Sequence, residues 1–290
     1  MGKVWLDGEL VEQEQAKVSV YDHGLLYGDG CFEGIRAYNG RVLKLRSHLR
    51  RMYSSAERIR LKPAYSCDQV EQAIRQTLTA NQMRDAYIRL IFTRGAGTLG
   101  LHPFRCPKSS TIVITDKIQL YPPELYDTGM KVIVAKRRRI PIECLDPAIK
   151  SLNYLNNVLA KIEAIDAGVL EAIMLNVDDY VSECTGDNIF VIKNGRIATP
   201  AKESGVLHGI TREFVISEIA PGLGHRVEEK MLRLDDVLNA DEVFLTGTAA
   251  EIIGVSQIDE KIIGSGKVGP ITKSLTTEFR KRVKENAPED

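Results

Sequence analysis

A mixed α/β fold in two packed domains is what this sequence predicts, on three observations. Its 290 residues exceed what one hydrophobic core usually organises. Apolar runs of strand length are mixed with helix-spaced segments, without the strict β-α-β order of a doubly wound sheet. Pro122-Pro123 interrupts any regular structure within Gln119–Asp127. The expected division is residues 1–118 as a smaller N-terminal α/β domain, 119–127 as an interdomain linker and 128–290 as a larger C-terminal domain.

Taken in order, Val4 to Val11 reads as two short strands around Asp7-Gly8, and Asn39-Gly40 joins Phe32–Tyr38 to Val42–Leu45 as a hairpin. A glycine-rich stretch from Gly24 to Gly34 precedes it. Helical spacing follows over His48–Ile59, where Leu49, Met52, Tyr53 and Ala56 share a face, and again over Cys67–Ala80. Ala86–Arg94 and Ser110–Asp116 read as apolar strands flanking the loop Gly95–Gly100. Beyond the linker come a strand at Met130–Ala135 and a helix at Asn156–Ala167. Alternating strands then turn at Asp178-Asp179 and Asn194-Gly195. A helix over Thr211–Ile219 closes at Pro221-Gly222, Val243–Leu245 is a buried strand, and Ile271–Glu285 is an amphipathic helix.

Composition excludes several function classes. Lys+Arg and Asp+Glu both number 39, so no net charge steers the chain to nucleic acid or an anionic membrane. The basic run Lys136-Arg137-Arg138-Arg139 reads as a solvated strand end that could line a site entrance. No apolar stretch has the length of a membrane span, and the first residues lack the apolar core of a secretion signal. Five scattered cysteines without metal-ligand spacing read as reduced thiols of a cytoplasmic protein, and no metal site is expected. There is no G-x-G-x-x-G.

Three separated pieces carry chemistry. Lys150-Ser151-Leu152-Asn153-Tyr154 offers an amine beside a phenol in a setting poor in other charges. A lysine attacks a carbonyl only after losing its proton, which partial burial favours; taken alone, a surface lysine is the commoner reading. Ser182-Glu183-Cys184-Thr185-Gly186-Asp187-Asn188 puts a carboxylate at the end of an apolar run, where a solvated hairpin residue is the bland alternative. Gly205-Val206-Leu207-His208-Gly209-Ile210-Thr211-Arg212 is a loop that opens a helix, and an ordinary N-cap would also explain Thr211. Amine, carboxylate and helix N-terminus together are what pyridoxal 5'-phosphate needs.

At these residues, and from about Trp5 to Val255, the chain strongly resembles the fold-type IV pyridoxal-phosphate enzymes, and within them the branched-chain amino acid aminotransferases. The resemblance implies that fold, with the C-terminal domain binding the cofactor. It implies that Lys150 is the covalent attachment point and that Tyr154 hydrogen-bonds the phenolic oxygen. Glu183 would pair with the ring nitrogen and Leu207 pack on the ring. Gly209, Ile210 and Thr211 would form the phosphate cup, with Arg46 and Thr248 as further phosphate contacts. Thr248 and Ala249 match the turn that binds the substrate carboxylate. Phe32 matches an aromatic pocket wall, while Tyr87 and Arg89 meet the substrate. Tyr27 and Leu101 match positions that line the pocket from a second subunit. Many bacterial relatives carry a linker tryptophan, whereas the one Trp here is Trp5.

The implied activity moves the amino group of leucine, isoleucine or valine to 2-oxoglutarate by ping-pong exchange. Small amino acids and 2-oxo acids are then the partners, in a homodimer or higher homo-oligomer. Two relatives of the same fold type compete. A D-amino acid aminotransferase would carry an Arg-x-His element on the Arg94–His102 loop, which is missing; an aminodeoxychorismate lyase would need no amino acceptor.

Overall fold

Three Xaa-Gly dipeptides set the tight hairpins. Asp7-Gly8, Asn39-Gly40 and Asn194-Gly195 each take positive φ at both residues, the backbone that two-residue hairpin turns demand. The computed structural model describes residues 2–118 and 121–286. Gln119 and Leu120, which open the expected linker, lie outside the described residues, as do Met1 and residues 287–290. The chain divides into two compact units. The first takes Met1–Ile118 together with Ile149–Asn153 and Val283–Asp290, and the second takes Gln119–Ala148 and Tyr154–Arg282. Lys150 therefore folds with the first unit, although it stands well beyond Ile118 in sequence.

The first unit is built on strands β1 (Lys3–Leu6), β2 (Glu9–Glu12), β3 (Gly30–Tyr38), β4 (Arg41–Val42), β5 (Ala86–Thr93) and β6 (Ser110–Asp116). They form an antiparallel sheet in the order β2-β1-β6-β5-β3-β4. Helix α1 (His23–Tyr27) occupies the glycine-rich stretch, where no helix is expected. The Asp22 side chain caps it by accepting Gly24 N–H at 2.7 Å, and Gly28 ends it at φ 68°. Helix α2 (Leu45–Arg58) starts three residues earlier than its apolar spacing suggests, and α3 (Cys67–Ala80) carries a Ser66/Gln69 capping box. Leu49, Met52, Ala56, Val70 and Ile74 of these helices pack with Ile35, Ile88, Leu90 and Phe92 of the strands. Tyr87 and Arg89 alternate onto the other face of β5 and stay half-buried.

The second unit begins with α4 (Leu125–Thr128), β7 (Met130–Val134), α5 (Leu155–Asp166), β8 (Glu171–Leu175), β9 (Val181–Cys184), β10 (Asn188–Lys193) and β11 (Arg196–Pro200). It continues with α6 (Ile210–Phe214), α7 (Ala220–Gly222), β12 (Val227–Lys230), α8 (Leu234–Leu238), β13 (Glu242–Gly247), β14 (Glu251–Ile258), β15 (Lys261–Ile262) and α9 (Pro270–Asn286), the last of which counts with the first unit from Val283 on. Its sheet runs β12-β11-β10-β13-β14-β7-β8-β9, with β15 beside β14. Strands β8 and β9 are buried at every position, not alternately as expected, so both faces of the sheet are covered there. The helix expected to stop before Pro221-Gly222 runs through them. A wide π turn at Val215–Ile219 joins α6 to α7, and Pro221, with no N–H to donate, sits in the first turn after it.

Candidate active site

The Lys150 segment is held by its backbone. Phe32 N–H donates to Lys150 O at 3.0 Å, Leu152 N–H to Gly30 O at 3.0 Å, and Lys150 N–H to Ser55 Oγ at 3.2 Å. Ser151 forms an isolated antiparallel bridge with Cys31, so the segment lies alongside β3. These bonds fix where the Lys150 side chain leaves the chain. Its Nζ lies 4.7 Å from the centre of the Phe32 ring, and the Arg89 guanidinium lies 4.5 Å from the same ring. Arg89 Nη2 donates to Tyr87 Oη at 2.9 Å. Gly34, opposite Arg89 in the register, leaves room for this pair, since a Cβ there would come within 2.2 Å of Tyr87 Oη. Lys150, Phe32, Tyr87 and Arg89 are thus brought together.

Arg46 is not. It projects from α2 to solvent, with its side chain 59% exposed and paired with Glu71 at 3.5 Å. At about 100° per residue, His48, Arg51 and Ser55 share one stripe of the helix, and Arg46 lies roughly opposite. That stripe meets Glu33 and the Lys150 backbone. Arg51 donates through Nε to Glu33 Oε1 and through Nη2 to Glu33 Oε2, each at 2.7 Å. Arg51 is the arginine that geometry puts beside the Lys150 segment, and helix phase is the signal that separates it from Arg46.

Tyr27 meets the loop that carries Leu101. Gly100 N–H donates to Tyr27 Oη at 2.8 Å, and Leu101 stands 79% exposed. Leu25 and Leu99 on the same two segments are exposed as well, an apolar surface of the kind that marks an interface. A separate cavity of about 1070 Å³ lies on the far side of α2, lined by Arg50, Tyr53, Arg60, Lys62 and Phe104 among others. Lys150, Phe32, Tyr87 and Arg89 do not line it.

In the second unit Glu183 is buried, not a solvated hairpin residue. Its Oε1 accepts a hydrogen bond from Arg139 Nε at 3.0 Å, and Arg139 Nη2 stands 2.9 Å from the same oxygen as an ion pair. Its Oε2 accepts Leu207 N–H at 2.9 Å and Asn188 Nδ2 at 3.1 Å. Every one of these partners is a donor, so both carboxylate oxygens serve as acceptors. Arg139 thereby corrects the expectation for the basic run. Its last member turns inward, buried, and also reaches Asn157 Oδ1 at 3.0 Å, because Glu183 offers a charge partner in the interior. Asn188, which no sequence motif singles out, ties Glu183 to the loop before α6. It also donates to Leu207 O at 3.0 Å, and a Cβ on Gly209 would stand 2.0 Å from its Oδ1. Gly209 N-caps α6 without any side-chain cap, so Ile210 and Thr211 open the helix with their N–H groups not engaged by a capping side chain. Arg212, buried, anchors this end through Pro200 O at 3.0 Å and Glu229 at 2.5 Å. Tyr154 N-caps α5, and Thr248 and Ala249 lie on the turn after β13.

The turn after Glu183 holds a second acid, Asp187, whose Oδ1 would meet any Cβ on Gly247 at 1.9 Å. Tyr121 Oη donates to Asp187 Oδ2 at 3.4 Å. Burial, and then the neighbouring buried Glu171, push the Asp187 pKa up to about 7. An unfolded aspartate titrates near ~3.9, so between about pH 4 and 7 the folded chain holds a proton that the unfolded chain has released. Stability therefore falls as pH rises through that window. Asp187→Asn should gain thermal stability relative to the parent as pH goes from 5 to 8; a pH-independent difference in melting temperature would contradict this.

The donor set fits pyridoxal phosphate. Lys150 offers an amine on a segment pinned by backbone bonds, Glu183 a carboxylate met by donors on both oxygens, and α6 a helix that opens on a glycine with no capping side chain. Comparison with known proteins agrees. The family model described as "Amino-transferase class IV" matches residues 30–258. A Methanocaldococcus jannaschii protein provisionally named a branched-chain-amino-acid aminotransferase is 48% identical over 96% of this chain and 95% of its own. The branched-chain amino acid aminotransferase of Escherichia coli superposes with a TM-score of 0.95 at 34% identity, over 100% of this chain and 97% of that one. The corresponding Thermobaculum terrenum enzyme, in its pyridoxal-phosphate holo-form, gives 0.88 at 30% identity, over 99% of this chain and 94% of that one. The fold, the cofactor chemistry and these relatives together place the chain in the class IV aminotransferases, among the pyridoxal-phosphate-dependent branched-chain-amino-acid aminotransferases.

Proposed function

We propose that this chain moves the α-amino group of leucine, isoleucine or valine to 2-oxoglutarate. The observation that carries the reading is the Phe32–Arg89–Tyr87 cluster beside Lys150: an apolar ring and a cation at one place. Phe32 suits an apolar side chain, and Arg89 suits the distal carboxylate of glutamate. Bound pyridoxal phosphate supplies an electron sink for bonds at the substrate Cα. Lys150 Nζ would hold the cofactor and would carry the Cα proton as general acid and base. Glu183, oriented by Arg139, Asn188 and Leu207 N–H, would pair with the ring nitrogen. Tyr154 orients the phenolic oxygen and Leu207 packs on the ring. Gly209, Ile210, Thr211 and Thr248 take the phosphate together with Arg51, which replaces Arg46 in that role. The turn at Thr248 and Ala249 receives the α-carboxylate. Tyr27 and Leu101 serve the pocket of a partner copy in a homodimer.

The cytoplasm is the proposed location, since all five cysteines are free thiols. Among the described residues no helix is long and apolar enough to cross a membrane. A coupled assay of purified protein with 2-oxoglutarate, comparing L-leucine with D-alanine, tests the function. Glutamate formed from leucine alone is expected; turnover of D-alanine in preference would make the chain a D-amino acid aminotransferase.

The same cluster predicts a selective lesion. Arg89→Leu removes the cation for glutamate's distal carboxylate but leaves Phe32 in place. Losing one partner of a buried charge pair costs about 2–5 kcal/mol, so the glutamate half-reaction should fall at least about tenfold. The leucine half-reaction, followed by cofactor absorbance without an acceptor, should change by only a few-fold. An equal loss in both would reduce Arg89 to a general or structural role.

A further inference from the structure

The Arg51 cation beside the Lys150 segment is itself held by a buried device. Glu33 is fully buried on β3 and accepts three hydrogen bonds of 2.7 Å, two from Arg51 and one from His48 Nδ1. We propose that Glu33 and His48 are positioning residues that lock the Arg51 guanidinium in one orientation, and so set how tightly the chain holds an anionic phosphate. The proposal rests on the assignment of Arg51 to the cofactor phosphate.

Three features separate this from an ordinary core ion pair. First, Glu33 takes Arg51 with both oxygens, which fixes the plane of the guanidinium as well as its place. Second, the Arg51 side chain keeps 11% exposure while Glu33 has none, so the carboxylate lies behind the arginine, away from solvent. Third, the Lys150 backbone is bonded to Ser55 on the stripe that also carries His48 and Arg51. Protonation states agree. Burial works to raise Glu33, but the Arg51 guanidinium and the His48 bond outweigh it and hold its pKa at about 2. Burial lowers His48, with Arg51 and Lys150 adding to the shift against the pull of Glu33. His48 is then neutral with its proton on Nδ1, a donor to an ionised acceptor.

The sign of the expected effect discriminates. If Glu33 merely cancelled charge, its removal would leave a stronger cation and tighter phosphate binding. A buried guanidinium without its carboxylate is costly, however, and the side chain escapes toward solvent instead. Positioning therefore predicts weaker binding.

The test titrates apoprotein with pyridoxal phosphate, and with inorganic phosphate as competitor, for the parent, Glu33→Gln, His48→Gln and Arg51→Gln. Affinity for both anions should fall at least about tenfold in Glu33→Gln and by a few-fold in His48→Gln, which removes one bond of three and keeps the fold assessable if Glu33→Gln does not fold. At saturating cofactor, kcat with leucine should stay within a few-fold of the parent in Glu33→Gln and His48→Gln, whose side chains act only through Arg51. Unchanged or tighter binding in both variants, with only the melting temperature lowered, would overturn the proposal. Unchanged binding in Arg51→Gln would instead show that Arg51 is not the phosphate arginine, a separate failure.

Discussion

Lys150→Ala should abolish turnover while leaving the fold intact. The side chain is half-buried, but the segment is pinned through main-chain bonds to Phe32, Gly30 and Ser55 that alanine keeps. What disappears is the amine. Loss of the general acid–base alone costs about 10² to 10⁴ in rate, and loss of covalent attachment adds to it. The measurement is a single turnover with leucine beside a thermal melt. A rate within tenfold of the parent, at an unchanged melting temperature, would move the chemistry to another group.

Glu183→Gln should be the second most damaging change, and for two reasons that separate experimentally. A neutral amide no longer holds the ring proton, and removal of one such electrostatic contact typically costs about 10² to 10³. The amide also cannot satisfy its surroundings. Both oxygens of Glu183 face donors only, so the new NH₂ group must point at Arg139, Asn188 or Leu207 N–H. One mismatched buried pair costs about 1–3 kcal/mol of stability. The half-reaction with leucine should therefore slow strongly at saturating cofactor, and the melting temperature should fall too. A stability loss with an unchanged half-reaction rate would make Glu183 purely structural.

What is legible in the sequence is what local chemistry decides. Positive-φ dipeptides announce the hairpins at Asp7-Gly8, Asn39-Gly40 and Asn194-Gly195, and Ser66 with Gln69 marks the start of α3. Phe32, Tyr87 and Arg89 stand on β3 and β5, and Lys150 on the segment bridged to β3, where the register fixes their meeting. The rest depends on partners far away in the chain. Arg139 reads as the end of a solvated basic run until Glu183, 44 positions later, draws it inside. Asn188 has no local signature, because its partners Glu183, Leu207 and Gly209 converge only in the folded unit. Arg46 and Arg51 are equivalent in composition and differ in helix phase, so only the position of Glu33 chooses between them. Helix α1 hides in a glycine-rich stretch, since its cap is the Asp22 side chain rather than an apolar period.

Lys150 is the residue on which the proposed chemistry turns, because it alone would carry the cofactor. Purified holoenzyme, reduced with borohydride and digested, should yield one phosphopyridoxyl-labelled peptide, with the label on Lys150 by mass spectrometry. The parent should be yellow before reduction and lose that colour after it. A label on any other lysine, or a colourless protein that takes up no pyridoxal phosphate, would contradict that assignment.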